Sequence, residues 1–201
     1  MAKLYFRYGA MGCGKTIALL QVAHNYGERG QKVCIMKPKT DTKAGTKLSS
    51  RIGIERATDY VFTREENLFK LVKDKFADVS CVLIDEAQFL TPEQADQLNL
   101  VVVKLDIPVI CYGLRLNFRQ EDGGFEGATR LLQIAQEIDE IRTICDCGHR
   151  AMRNTRFLDG KLVTDGPDIL IDDGKTKIEY RALCPKCYLK CLEESTDQRD
   201  L

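Results

Sequence analysis

An α/β domain on a mainly parallel sheet, followed by a small cysteine-anchored domain, is the fold class this sequence predicts. Three observations carry it. Short apolar runs of strand character alternate with segments of helical spacing from residue 3 to residue 144. A glycine-rich segment, Gly9 to Thr16, joins the first strand to the first helix. Of the nine cysteines, Cys145, Cys147, Cys184, Cys187 and Cys191 all lie beyond residue 144, which places a boundary there.

The elements follow in order. Residues 3–8 read as a strand ending at Gly9, and Leu19, Leu20, Val22, Ala23 and Tyr26 give residues 15–29 a helical spacing that Gly30 stops. Lys32–Met36 is a second apolar strand, closed by Pro38. The polar residues 39–57 read as a long loop or hairpin. Leu68, Leu71, Val72 and Phe76 form a second helical stripe, and Val79–Ile84 is a continuous apolar strand of the kind buried on both faces of a parallel sheet. Thr91-Pro92-Glu93-Gln94 has the features of a helix start: a threonine cap, proline in the first turn and glutamine at the capping-box position. Ile107–Tyr112 is another buried strand. Leu131, Leu132, Ile134, Ala135 and Ile138 mark a further helix, and Ile141–Ile144 a last strand. The expected organisation is residues 1–144 as a nucleotide-binding α/β domain, 145–192 as a metal-anchored lid, and 193–201 as a polar, disordered tail.

Composition narrows the functional classes. Lys+Arg and Asp+Glu both number 30, so the basic excess of a sequence-independent nucleic-acid binder is missing. The first residues lack a long apolar signal region, and no stretch reaches the roughly 18 apolar residues of a membrane span, so a cytoplasmic protein is expected. In a reducing compartment the cysteines read as buried thiols or metal ligands; Cys34, Cys81 and Cys111 lie in apolar runs and read as small core residues.

The chemistry starts at Gly9-Ala10-Met11-Gly12-Cys13-Gly14-Lys15-Thr16, which matches Gly-x4-Gly-Lys-Ser/Thr. Its backbone N–H groups and the following helix N-terminus cradle phosphates, Lys15 reaches the β- and γ-phosphates, and Thr16 binds Mg²⁺. This is a P-loop, and the domain is expected to be P-loop NTPase-like, with ATP as its ligand. Val82-Leu83-Ile84-Asp85 is an apolar strand ending in a carboxylate that supports Mg²⁺. Glu86 follows at once and is the natural general base; the bland alternative is a solvated loop charge. Cys145-Asp146-Cys147 and Cys184-Pro185-Lys186-Cys187 suggest a structural, four-coordinate Zn²⁺ site, with His149 and then Cys191 as alternative ligands.

Further pieces appear in order: Lys37-Pro38 with Asp41-Thr42, Ser49-Ser50-Arg51, Asp85-Glu86-Ala87-Gln88-Phe89, Tyr112-Gly113-Leu114-Arg115, and Tyr180-x3-Cys184-x2-Cys187-Tyr188. With the P-loop, they make the chain resemble the thymidine kinases of the zinc-containing, cellular type over nearly its whole length. The resemblance implies transfer of the γ-phosphoryl of ATP to the 5′-hydroxyl of thymidine, with Glu86 as base. It also implies a homotetramer and feedback inhibition by dTTP, while the charge balance and the lack of an apolar span above lead to the expectation of no nucleic-acid and no membrane partner. Asp41, Lys43, Arg51 and Gln88 take supporting positions. By position, Met11, Phe89, Leu114, Phe118, Phe125 and Tyr180 contribute to the thymine pocket. The lasso between the cysteine pairs adds Asn154, Ile169, Leu170 and Ile171.

The sequence departs from the family pattern in four places. Lys43 stands where an arginine is usual, Asn154 where threonine is common, and Asn117 where Asp or Thr is common; residues 119–124 look about two residues longer than usual. A helicase-type ATPase is the alternative reading, because Asp85-Glu86-Ala87-Gln88 resembles its Asp-Glu-Ala-x box. Short length, neutral charge and the lack of a second motor domain stand against it. A zinc-ribbon binding module would leave residues 1–144 unexplained. Phe118, Phe125 and Tyr180 also have a plain reading as core residues.

Overall fold

The computed structural model describes residues 1–39, 47–49, 53–119, 124–167, 170 and 176–197. In chain order the elements are β1 (Leu4–Tyr8), α1 (Lys15–Gly27), β2 (Val33–Pro38), β3 (Lys47–Ser49), β4 (Glu55–Ala57), β5 (Tyr60–Phe62) and α2 (Leu68–Lys75). Then come β6 (Cys81–Ile84), α3 (Pro92–Leu105), β7 (Val109–Gly113), α4 (Glu126–Ile134), β8 (Glu137–Glu140), β9 (Thr143–Ile144) and β10 (Arg150–Ala151). The chain continues through β11 (Arg153–Leu158), β12 (Lys161–Val163), β13 (Ile178–Leu183) and α5 (Pro185–Asp197).

Six strands form the central sheet in the order β5-β2-β6-β7-β1-β8. Every pairing in it is parallel. All six carboxyl ends therefore share one edge, where ligands of open α/β sheets bind. The sequence of β6 shows why it lies at the centre. Val82 and Ile84 pack with α2, α3 and α4 on one face, while Cys81 and Leu83 pack with Leu19 and Ala23 of α1 on the other. Cys34, Cys81 and Cys111 are buried core thiols, as expected, and burial pushes all three up in pKa.

Helix starts divide into closed and open ones. Thr91 accepts from the N–H of Gln94 at 3.1 Å, and the Gln94 side chain accepts from the N–H of Thr91 at 3.2 Å, so α3 has the complete capping box. Asn67 caps α2 in one direction, its side chain accepting from Lys70 N–H at 2.9 Å. α1 instead begins at Gly14, in the left-handed region at φ 86°, with no side-chain cap. α4, starting after Phe125, also lacks a side-chain cap, so it is the glycine-rich loop before α1 that distinguishes this open start.

The small module has a three-stranded antiparallel sheet, β12-β11-β13, a two-stranded one, β10-β9, and α5. Its own core is Ala151, Phe157, Leu162, Leu183 and Tyr188 beside Cys145 and Cys184.

Several boundaries differ from the sequence expectation. Ile138 belongs to β8, not to a helix; α4 ends at Ile134. Thr143–Ile144 pairs with Arg150–Ala151 in the small module and is not the last strand of the parallel sheet. β8 is an edge strand of sequence Glu-Ile-Asp-Glu, whose polar residues hide it from an apolar-run criterion. β5, the opposite edge, is also short and was unanticipated. Within the expected loop or hairpin of residues 39–57, Lys47–Ser49 pairs antiparallel with Glu55–Ala57; residues 40–46 and 50–52 lie outside the described residues. The expected disordered tail starts too early, because α5 runs to Asp197; Ser195 Oγ donates to the Cys191 carbonyl at 2.8 Å and Lys190 faces Glu194 one turn on. Residues 198–201 lie outside the described residues.

Candidate active site

Three loops meet at the carboxyl edge of the sheet. β7 lies between β1 and β6, so the loops after β1, β7 and β6 open side by side. The loop after β1 is the phosphate loop. Gly9 N–H donates to the Gly113 carbonyl at 3.3 Å, which ties its start to the end of β7. Lys15 Nζ donates to the carbonyls of Gly9 at 3.2 Å and Ala10 at 3.0 Å, so the ammonium curls back over the loop it is meant to serve. Cys13 Sγ lies 3.7 Å from the same nitrogen. These contacts are ones a triphosphate would take over, since phosphate oxygens are stronger acceptors for an ammonium.

The loop after β6 carries the two carboxylates. Thr16 Oγ1 donates to Asp85 Oδ2 at 3.2 Å, and Asp85 Oδ1 accepts from Glu86 N–H at 3.0 Å. Asp85 is 4% exposed. Burial, reinforced by the charge of Glu86, pushes its carboxyl up to about 6. The backbone of Glu86 is left-handed, at φ 52° and ψ 37°. That is uncommon for a residue with a long side chain and clusters at functional turns. Its effect is to separate the neighbours: Asp85 points inward at Thr16, and Glu86 is exposed at the mouth. Gln88 then fixes Glu86. Its Nε2 donates to Glu86 Oε2, and its Oε1 accepts from Leu114 N–H at 3.0 Å.

Lys37, to which the sequence motifs assign no role, belongs to this cluster. Met36 pairs with Ile84, and Asp85 N–H donates to the Met36 carbonyl at 3.0 Å, so Lys37 arrives beside Asp85. It is 8% exposed; burial pulls its ammonium down in pKa, against the opposing pull of Asp85 and Glu86. Only the sheet order reveals this neighbour, so local sequence gave little signal for it.

The expected nucleoside residues fall into two groups. Phe89 and Phe125 pack edge to face at 5.4 Å and line a cavity of about 250 Å³ together with Gln88, Asn117 and Arg119. Phe118 stands apart from that cavity, 6% exposed, with the guanidinium of Arg156 3.7 Å from its ring centroid. Arg156 was missed by sequence reading, because an arginine in a polar strand looks like a surface residue. Tyr180 sits on β13 directly across from Arg156. Asn154 joins the modules: Met11 N–H donates to its Oδ1 at 2.8 Å, and its Nδ2 donates to the Leu116 carbonyl at 2.7 Å. Leu170 is half-buried. Asp41, Lys43, Arg51, Ile169 and Ile171 lie outside the described residues.

The sulfurs of Cys145, Cys147, Cys184 and Cys187 all lie within 4.8 Å of one another. Zn–S bonds of about 2.3 Å in a tetrahedron put sulfurs about 3.8 Å apart, so the set suits a metal of that kind. His149 Nδ1 lies 3.5 Å from Cys147 Sγ, which makes it a neighbour of a ligand; neither it nor Cys191 belongs to the set of four. Burial would raise Cys145, but backbone N–H groups at Cys147 and Cys184 prevail and draw its thiol down to about 7. Backbone N–H at Cys187 draws Cys184 down as well. Cys187 goes the other way, up to about 12, through its hydrogen bonds with Cys147, Cys184 and Cys145, so a bound cation would have to displace its proton.

An uncapped helix behind a glycine loop, an inward Asp beside a Thr hydroxyl, and an exposed Glu held by a glutamine together equip the site for phosphoryl transfer. A family model described as thymidine kinase matches residues 2–188. A thymidine kinase of Francisella tularensis subsp. holarctica is 44% identical over 92% of this chain and 96% of its own length. One of Xanthomonas campestris pv. campestris is 49% identical, covering 85% and 83%. One of Ruegeria pomeroyi is 44% identical, covering 92% and 93%. Among solved structures, one titled as a DNA replication initiation factor has a TM-score of 0.40 and 16% identity, covering 70% of this chain and 40% of that one. With the match spanning both the phosphate loop and the cysteine cluster, the chain belongs to the thymidine kinase family.

Proposed function

We propose that the thymidine phosphorylation of this family is carried out here with Glu86 as the general base. The Glu86 carboxylate takes the proton of the thymidine 5′-hydroxyl as that oxygen bonds to the γ-phosphorus of ATP. The bond from phosphorus to the β,γ-bridging oxygen breaks, and ADP leaves with the electron pair. The left-handed turn and the Gln88 hydrogen bond, which hold this carboxylate outward beside the phosphate loop, are the observation that carries the reading. Lys15 and the loop N–H groups neutralise the charge that develops on the phosphates. Mg²⁺ would be held by Thr16 and Asp85, two oxygen donors turned on one spot 3.2 Å apart, and would supply further charge neutralisation there.

Thymidine is assigned to the region of Phe89, Phe125, Leu114, Phe118, Met11, Asn154, Leu170 and Tyr180, with the lasso excluding water so that the hydroxyl is the acceptor. Structural Zn²⁺ at the four cysteines anchors that lasso. The cytoplasm, where such cysteines stay reduced, is its compartment. A homotetramer and inhibition by dTTP follow the family expectation. Leu100 and Val103, exposed one turn apart on α3, offer apolar surface for subunit contact.

A coupled ATP assay across the nucleosides tests the assignment. Thymidine-dependent turnover is expected to fall by about 10²–10⁴-fold in Glu86→Gln. Turnover that survives this change would remove Glu86 from the role of base. The same assay under rising dTTP, with sedimentation of the protein, tests the regulatory and tetramer readings.

A further inference from the structure

Arg156 is the bulkiest of the fully buried side chains, at 1% exposure. It lies in β11, the middle strand of its sheet, on the same face as Asn154 two residues before it. Its guanidinium stacks at 3.7 Å on the centroid of the Phe118 ring. At its edge, Nη1 donates to the Pro167 carbonyl at 2.6 Å and Nη2 to the Asp165 carbonyl at 2.9 Å. Among the described residues no carboxylate pairs with it, and Nε has no hydrogen-bond partner.

A buried cation without a counter-charge is costly, and an apolar side chain of similar volume would serve folding as well or better. What an apolar residue cannot do is bond and stack in one rigid plane. The guanidinium fork lies along the two carbonyls while its face covers the ring. Phe118 belongs to the segment after β7; residues 165–167 belong to the loop after β12. One plane thus fixes the separation between an aromatic wall on the large domain and the backbone of the lasso. Asn154, on the same face, ties the same strand to the phosphate loop at Met11 and to Leu116.

We infer that Arg156 is a positioning residue for the acceptor nucleoside, holding the Phe118 segment and the Asp165–Pro167 backbone at a fixed separation on the acceptor side of the site. The inference rests on the reading of Phe118 and the lasso as walls of the thymidine site.

Steady-state kinetics of Arg156→Lys, Gly166→Ala and Phe118→Ala, with thermal melting of each, test it. Lysine keeps the charge but loses the plane. Gly166 has φ +112°, and a Cβ there would lie 2.8 Å from Arg156 Nη2, so alanine both strains the lasso backbone and displaces the guanidinium without deleting it. Arg156→Lys is expected to raise the thymidine KM by about 10- to 100-fold while the ATP KM moves less than about twofold. Gly166→Ala should act in the same direction by a smaller factor, and it decides the matter if Arg156→Lys does not fold. Equal rises in both constants, tracking a lowered melting temperature, would make the role purely structural and overturn the inference. A thymidine KM raised by Phe118→Ala but by neither of the others would overturn the positioning role and leave the pocket reading standing. A Phe118→Ala enzyme with an unchanged thymidine KM would sink the pocket reading and the inference with it.

Discussion

Asp85 shows at the scale of one residue what the site gives up for its function. Its carboxyl is 4% exposed and shifted up to about 6, first by burial and then by Glu86. The unfolded chain ionises at an ordinary aspartate value, so between that value and about pH 6 the folded state holds the extra proton. Stability therefore falls as pH rises through this window, and above it the full cost is present. Holding this carboxylate ionised in the folded protein costs on the order of 3 kcal/mol. Asp85→Asn keeps an oxygen for the Glu86 N–H and can donate to Thr16, so it removes the charge and little else. Without Mg²⁺, this variant should be more stable than the parent at pH 8 by up to about 3 kcal/mol, with the gap closing below pH 4. Urea denaturation at the two pH values reads this directly. A variant no more stable at pH 8 would mean that the charge is not a burden in the folded protein. Turnover should be lost in either case, because the carboxylate is the proposed magnesium support.

Between elements, the loops after β6 and β7 are joined through Gln88, 2% exposed, whose two amide ends hold Glu86 and Leu114. The joint leaves no room: a Cβ on Gly113 would come 2.9 Å from Gln88 Oε1 and 3.0 Å from Gln88 N. The backbone nitrogen cannot swing aside, so Gly113→Ala must displace the turn that carries Glu86, at about 1–3 kcal/mol of stability. We expect kcat to fall about 10- to 100-fold, more than the ATP KM changes, because the proposed base is misplaced while the glycine-rich loop is intact. An unchanged kcat would show that the joint does not set the base. Here lies the line between what sequence reading reached and what it did not. Gly9–Thr16, the Asp85-Glu86 pair and the cysteine pairs are local patterns whose spacing carries their chemistry. Lys37, Arg156 and the edge strands β5 and β8 are not. Lys37 meets Asp85 only through the parallel register of β2 with β6. Arg156 meets Phe118, 38 positions earlier in the chain, only through the contact of two modules. The pattern of β8 is polar because its sheet ends there.

For the whole molecule, the question is whether the acceptor half can fail while the nucleotide half survives. The two halves have separate cores. The large domain buries Leu4, Phe6, Val82, Ile84, Val109 and their neighbours between its sheet and helices, without help from the cysteine cluster. Among the described residues, the small module buries Ala151, Phe157, Leu162, Leu183 and Tyr188 around Cys145 and Cys184, with Ala182 and Leu192 partly buried against them. So small a core needs a staple, and a structural zinc can supply apparent binding energy of about 10–16 kcal/mol. Chelation should therefore melt residues 143–197 before the parallel sheet, seen as early loss of hydrogen-exchange protection in β11 and β13. Thymidine binding by calorimetry should disappear, while binding of a non-hydrolysable ATP analogue falls by no more than about tenfold, because Asn154 and its contact with Met11 go while Lys15 and the uncapped α1 stay. Acid should act like the chelator, since each thiolate must lose its metal to take a proton. Simultaneous loss of both ligands would make the molecule one cooperative unit, and retention of both would deny the metal any structural role.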